Sequence, residues 1–407
     1  MTRIVFLNRV YWPSTEATAQ LLRDVSVAIA QSGTKVVVVT GTKIDDTCDD
    51  QIPNLAVVRV GSNSARKLGV FAKLLSHSEF NRLAQDVIKA QVKSGDIVVA
   101  MTDPPMLGVK IGKIVREKKA EIWHWSQDVY PEVALAVQPF GRLSFLLKLL
   151  ENTRNREWED STGLVAIGED MADLMRSKGI ERSKIQVCPN WAPDALSFGN
   201  LEAQRKKWNV PPRAFVVAYS GNLGRAHVLT PVIDLAEKLE TSSEVRTLII
   251  GQGAQRKRMQ NRASEKKLSR CSFLEPAPRA DLGQSLAAVD VHLITMRSDC
   301  VGAVWPSKFY GIVAAARPIV FVGPCHSEIS NLITKHRLGI SIRPSEIDTA
   351  EKFIVDLKTD RQSYEDYCSR VARFHSNLPG LKGATAFWNR IVASRDSPPS
   401  GPREDLV

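Results

Sequence analysis

Short apolar runs separated by helix-length segments recur along most of the chain, and that alternation constrains the fold more than any single motif. RIVFLN (3–8), a turn-rich loop VYWPSTEAT (10–18), a helical stretch from Ala17 to Ala30 and KVVVVTG (35–41) read as one β-loop-α-β unit. LAVVRV (55–60), DIVVAMT (96–102), EIWHWSQD (121–128), GLVAIGE (163–169) and KIQVCPN (184–190) continue the series. Helices between strands are what a mostly parallel, doubly wound sheet requires. Around 191–212 the pattern gives way to a polar, proline-containing connection. A second series follows: FVVAYSGN (215–222), VRTLIIGQG (245–253), CSFLEP (271–276), VDVHLIT (289–295) and PIVFVG (318–323). The expectation is an α/β protein of two Rossmann-like domains, 1–195 and 196–375, because 407 residues are too many for one core. A last helical stretch, about 363–393, holds Phe387 and Trp388, which want burial, and the Pro/Ser-rich 396–407 reads as a disordered tail.

The net charge of +11 favours an anionic partner. Zinc-finger spacing, RNP-like aromatics and a basic zipper are all missing, which argues against nucleic acid. No apolar run is long enough to span a membrane, and the N-terminus reads as a first strand rather than a signal peptide. The scattered cysteines have no zinc or C-x-x-C spacing and read as reduced cytosolic thiols. Two segments, 68–85 and 140–157, mix Leu and Phe with Lys and Arg. Each either packs an apolar face on the sheet or lies in an anionic membrane interface. DDTCDD (45–50) reads as a solvated acidic turn, and no D-x-D points to a metal.

Phosphate chemistry enters through three turns. In VGAVWPSKFYGIVAAARPIVFVGP (301–324), Pro306, Ser307 and Lys308 open an alanine-rich helix. They make either a phosphate seat or an ordinary helix cap. In YSGNLGRAHVL (219–229) a strand runs into Gly221, Asn222, Leu223 and Gly224, with a helix expected directly afterwards. Small residues there let a phosphate approach the backbone, while Arg225 and His227 add charge or hydrogen bonds; the alternative is a glycine turn with no ligand. The turn is not G-x-G-x-x-G, so a mononucleotide diphosphate fits it better than a dinucleotide. Gly251-Gln252-Gly253 ends the next strand, and in a parallel sheet all three turns share the carboxyl edge. In the first half, Asp128 and Glu132 of HWSQDVYPE fall at a strand's carboxyl end, where Asp128 is either functional or a cap. His124 sits within that strand, either as a satisfied core histidine or as a functional one. Asp103-Pro104-Pro105 reads as a rigid loop, and Asn190-Trp191 as the hinge.

The succession YWP-loop-helix, QDVYPE, PNW, YSGNLGRAH, G-x-G and PSKFYG-x-x-AA-x-RP resembles the family 4 glycosyltransferases over about 3–375. Within them it is similar to the colanic-acid, O-antigen (lipopolysaccharide) and exopolysaccharide sugar transferases, including L-FucNAc transferase-like members. The resemblance implies a GT-B fold, two Rossmann-like domains facing a cleft, with a C-terminal helix at about 376–395 returning to the first. It implies transfer of a sugar from a nucleotide-sugar donor, with retention and without a metal or other cofactor. Lys308, Arg225 and Asp128 would be the catalytic groups. Gly221, Asn222, Gly224, His227, Gly251, Gly253, Pro306, Ser307 and Tyr310 would hold the donor. Thr15, Glu16, Thr18, Asp103, Glu132 and Asn190 would line the acceptor side. The chain departs from the family in carrying Ala303 and Gly311 where many members have glutamates, which places more of the donor contact on Ser307 and Lys308. The implied acceptor is a polyprenyl-diphosphate-linked saccharide, met by a peripheral protein on the anionic cytoplasmic face of the membrane. A nucleotide-sugar 2-epimerase and a non-catalytic nucleotide-sugar-binding partner are the competing readings.

Overall fold

The structure is a computed structural model that describes residues 2–42, 51–61, 70–137, 144–193, 196–242 and 244–396. The acidic stretch 45–50, Arg142 and the tail beyond 396 lie outside the described residues. The chain falls into two compact units: Met1–Glu132, Phe140–Asn190 and Pro379–Val407 make one, Val133–Pro139 and Trp191–Leu378 the other.

The first unit is built on a seven-stranded sheet. Its strands are β1 (Arg3–Leu7), β2 (Lys35–Thr40), β3 (Leu55–Arg59), β4 (Ile97–Ala100), β5 (Glu121–Trp125), β6 (Gly163–Ala166) and β7 (Ile185–Val187). They lie in the order β3-β2-β1-β4-β5-β6-β7, every pairing parallel. The helices are α1 (Ala17–Gln31), α2 (Val70–Gln91), α3 (Leu107–Glu117), α5 (Ser144–Asp160) and α6 (Glu169–Ser177), while the short α4 (Glu132–Val137) leaves this unit after its first residue and belongs to the second. Side chains alternate along a strand, so Val5 and Leu7 of β1 pack on one face with Phe80, Ala84 and Ile88 of α2 and with Leu107, Ile111 and Val115 of α3. Of the two basic apolar segments, α2 therefore packs on the sheet over its described side chains.

The second unit carries six strands: β8 (Phe215–Ser220), β9 (Val245–Ile250), β10 (Cys271–Leu274), β11 (Val291–Thr295), β12 (Ile319–Val322) and β13 (Gly339–Ile342). Their order is β10-β9-β8-β11-β12-β13, again wholly parallel. Its helices are α7 (Leu201–Lys207), α8 (Thr230–Leu239), α9 (Arg256–Glu265), α10 (Leu282–Ala287), α11 (Lys308–Ala314), α12 (Glu328–Lys335), α13 (Ile347–Thr359) and α14 (Arg361–Ser376). The short β13 had no counterpart in the sequence reading, because only Ile342 of its four residues is buried and the apolar signal is weak.

The final helical stretch is two helices rather than one. The side chain of Asp360 caps α14 by accepting from Ser363 N at 3.0 Å. Pro379 interrupts the stretch before α15 (Gly380–Asp396). α15 belongs to the first unit: Trp388 is fully buried, its ring 5.4 Å from Phe6 and 5.5 Å from Trp125. No helix among the described residues is long and apolar enough to cross a membrane.

Candidate active site

A parallel sheet opens a crevice beyond the carboxyl ends of its strands where the strand order reverses. In the second unit that point lies between β8 and β11. The turn after β8 and the turn after β9 are locked together there. Gly221 N donates to Ile250 O at 2.9 Å and Leu223 N to Gln252 O at 2.8 Å. Gly251 adopts φ 153°, and a Cβ on it would collide with the Gly221 carbonyl oxygen. These glycines are required by backbone-to-backbone approach, whatever ligand comes next.

Lys308 is the unusual residue of this edge. Its ammonium is buried, lies 3.5 Å from the centre of the Tyr219 ring, and has no hydrogen-bond partner among the described residues. A Cβ built on Gly221 would stand 3.1 Å from Lys308 Nζ, so the ammonium lies directly against the turn. Burial pushes its pKa down to about 7. A cation–π contact returns ~2 kcal/mol when desolvated, whereas a buried, unpaired charge costs several kcal/mol. Lys308 is thus a net cost to the empty fold, and an anion at the turn would offset it. The groups around it reinforce the bias. His227 sits at about 4 because it is buried and close to Lys308, although its Nδ1 donates to Thr295 O at 2.8 Å. His292, inside β11, is likewise held near 4 by burial, with the charges of Arg317 and Lys308 adding to the effect and its bond to Leu286 O opposing it.

The remaining donor-side residues fall into two groups. Asn222 and Arg225 are exposed, and Arg225 has no hydrogen bond or ion pair among the described residues. Ser307 is exposed and makes no capping bond, while Pro306 is buried beside it. α11 has only seven residues, so the helix-end contribution expected there is small. Gly224 is not at a helix start: α8 begins at Thr230, and the intervening loop is pinned instead. Gly224 O accepts from Gln255 Nε2 at 2.6 Å and from His227 N at 3.3 Å. Gly253 packs against the backbone of Leu223. Tyr310, expected with the donor set, is buried in the core between Phe309 and Trp305. The missing glutamates also have a steric reason at one position, since a Cβ on Gly311 would already stand 3.0 Å from Leu286 Cδ1. Ala303 is buried. Tyr219, which the sequence reading passed over, meets Lys308 from β8, and His292 of β11, also passed over, lies close enough to feel its charge.

The first unit has its own reversal, between β1 and β4. Arg9, just past β1, clamps Asp103, just past β4, through two hydrogen bonds of 2.9 and 2.8 Å. Thr15 and Glu16 are exposed and Thr18 is half-buried at the start of α1. Glu132 is engaged by Arg154 at 2.8 Å through both oxygens and by Lys178 at 3.3 Å. Burial alone would raise its pKa, but those two cations hold it below the usual carboxylate range. Asn190 is buried in a reciprocal amide pair with Gln127. Asp103, Glu132 and Asn190 are therefore committed to structural partners. Asp128 differs: its carboxylate has no hydrogen bond among the described residues and borders a cavity of about 40 Å³ with Ser126 and Tyr130. Burial, and secondarily Asp103, raise its pKa to about 6. His124 is buried in β5, 3.7 Å from Glu157, and lines the same cavity as Asp128. Arg154, grouped by sequence with the membrane-facing cations, is instead buried and stacked 3.9 Å over Trp158. Among the described residues no cluster of His, Cys, Asp or Glu is arranged to hold a metal ion.

Two wholly parallel α/β sheets, each with a crevice at its strand-order reversal, define a two-domain protein of the Rossmann-like GT-B class. Sucrose-phosphate synthase from Thermosynechococcus elongatus has this fold, with a TM-score of 0.76 at 13% identity, covering 97% of this chain and 99% of its own. Residues 200–373 match the family Glycosyl transferases group 1. That match lies within the second unit, which therefore carries a group 1 glycosyltransferase domain. It is similar to the probable glycosyltransferase WbjE of Pseudomonas aeruginosa, 26% identical over 298 residues that cover 69% of this chain and 74% of WbjE. It is also similar to WcaI of Escherichia coli K12, a putative colanic acid biosynthesis glycosyl transferase, 25% identical over 187 residues covering 45% and 46%.

Proposed function

We propose that the chain moves a sugar from a nucleoside-diphosphate donor to a lipid-linked saccharide during bacterial surface-polysaccharide assembly. The observation that carries this reading is Lys308, a buried ammonium without an acceptor, set against the Gly221 backbone. As the glycosidic bond breaks, its electron pair passes to the leaving diphosphate oxygen, and a fixed cation there lowers the barrier. Arg225, exposed on the same loop, would supply a second positive group. We expect the donor to be handled without a metal, so turnover should persist in EDTA. Asp128, a first-unit carboxylate with no hydrogen bond among the described residues, would meet the acceptor or the reacting centre, with retention of anomeric configuration. The similarity to WbjE and WcaI supports the polysaccharide setting.

Docking on an anionic membrane is part of this reading. Phe145, Leu146, Leu149 and Leu150 of α5 are 66%, 52%, 46% and 44% exposed, and Lys148 and Arg156 are exposed on the same helix. A face of that kind suits an interface rich in acidic headgroups.

The test is turnover of purified protein with UDP-, GDP-, dTDP- and CMP-sugars and a polyprenyl-diphosphate saccharide. Transfer from one diphosphate donor, lost in Lys308→Ala, is expected. Binding without transfer would favour the non-catalytic partner. Acceptor-free deuterium exchange at C2 of the sugar would favour the epimerase.

A further inference from the structure

A second cavity of about 670 Å³ lies in the same unit, lined by α7, Val210, Pro212, Asp290, Arg317, Arg361 and Tyr364. Asp290 immediately precedes β11, and Arg317 lies just before β12. The cavity is therefore at the amino ends of the strands, at the opposite edge of the sheet from Lys308 and the glycine turns.

Its charge is unbalanced. Arg205, Lys206, Arg317 and Arg361 face it, against the carboxylates of Glu202 and Asp290. Arg205 donates to Asp290 Oδ2 at 2.8 Å, Val216 N donates to the same oxygen at 2.7 Å, and the Tyr364 hydroxyl donates to Oδ1 at 3.4 Å, so both oxygens of that carboxylate already have partners. Arg317 has no carboxylate partner among the described residues: it donates to Ala287 O at 2.6 Å and to the Tyr364 hydroxyl at 3.0 Å. Lys206, exposed at the rim, has no ion pair among the described residues. Arg361 is paired with Glu365 at 2.6 Å, but that pair is exposed and weakly coupled. The rest of the wall is apolar, made of Leu201, Val210, Pro212 and the ring of Tyr364. A cationic end beside an apolar wall, in a volume within the usual range for small-molecule sites, fits an organic phosphate and not a bare anion.

We propose that this cavity is a second ligand site, separate from the donor turns, for a phosphorylated small molecule of nucleotide or sugar size. Isothermal titration with uridine monophosphate, glucose 1-phosphate and inorganic phosphate tests it. At least one organic phosphate should bind more tightly than inorganic phosphate. Its affinity should fall at least fivefold in Lys206→Glu/Arg361→Glu and in Leu201→Trp, which fills the cavity without altering charge. Lys308→Ala should leave it unchanged. Loss in Lys308→Ala with retention in both cavity variants would place the binding at the donor turns and overturn the proposal. Equal affinity for all three probes would also overturn it, because the apolar wall would then contribute nothing, as would the absence of binding at millimolar concentrations. None of these outcomes bears on donor turnover, which is tested separately.

Discussion

Burial disfavours the charged forms of both Lys308 and Asp128, and the two make opposite predictions. A lysine whose pKa falls from 10.5 unfolded to about 7 folded leaves the native state with fewer bound protons across that interval. Its cost is absent above pH 10.5, grows as pH falls through the interval, and is complete below about 7. Lys308→Met should therefore raise the melting temperature at neutral pH, with the gain fading toward pH 10, while kcat/KM drops about 10²–10³-fold. A variant both less stable and fully active would end the anion-seat reading. Diphosphate binding should also take up a proton at pH 8, visible as a dependence of calorimetric heat on buffer ionisation enthalpy. Asp128 runs the other way in pH. Its pKa rises from 3.8 to about 6, so its cost is absent below pH 3.8 and complete above about 6. Asp128→Asn should stabilise the protein by on the order of 2 kcal/mol at pH 7 and give no gain in acid. An unchanged melting temperature at pH 7 would mean that the carboxylate is well solvated.

At the scale of elements, the turns after β8 and β9 behave as one piece. Gly251→Ala should destabilise by ~3 kcal/mol, because the added Cβ strikes the Gly221 carbonyl at a φ that favours glycine. Gly224→Ala should cost far less: its nearest neighbour is the movable Asn222 side chain at 3.0 Å. Equal melting temperatures for the two variants would contradict the geometry. The strands were legible in the sequence because Val and Ile runs such as IVVA in β4 are buried throughout. β13 was not, being short and half-exposed. The start of α8 was misplaced by six residues, though Pro231 in its first turn was a usable signal. The burial of Lys308 was hidden for a different reason. Its neighbour Tyr219 is far off in sequence, and the parallel pairing of β8 with β11 that helps shape this edge cannot be read from local pattern. Arg154 was misassigned for the same reason, since its partner Glu132 lies in another helix.

At the scale of the whole molecule, α5 divides its labour. Its last two turns bury Arg154, Glu157 and Trp158, and its first turns expose Phe145, Leu146, Leu149 and Leu150. Flotation should recover the protein with anionic vesicles, less so with neutral ones, and release it as salt rises. Leu149→Ser/Leu150→Ser should weaken recovery without lowering the melting temperature, and equal recovery from both vesicle types would remove the electrostatic part of the model. Arg154→Gln should instead destabilise by ~3 kcal/mol, because Glu132 loses both its bonds to Arg154 and keeps only Lys178 as a cation.

The place of Trp388 also sets an order of assembly. A ribosome delivers the second unit complete while the first still lacks the indole that belongs between Phe6 and Trp125. The part of the chain made first is thus the part finished last, and its open aromatic slot is in the meantime a surface for chaperones or for premature association. A chain stopped at residue 378 should accordingly yield a protease-resistant second unit attached to a digestible first one.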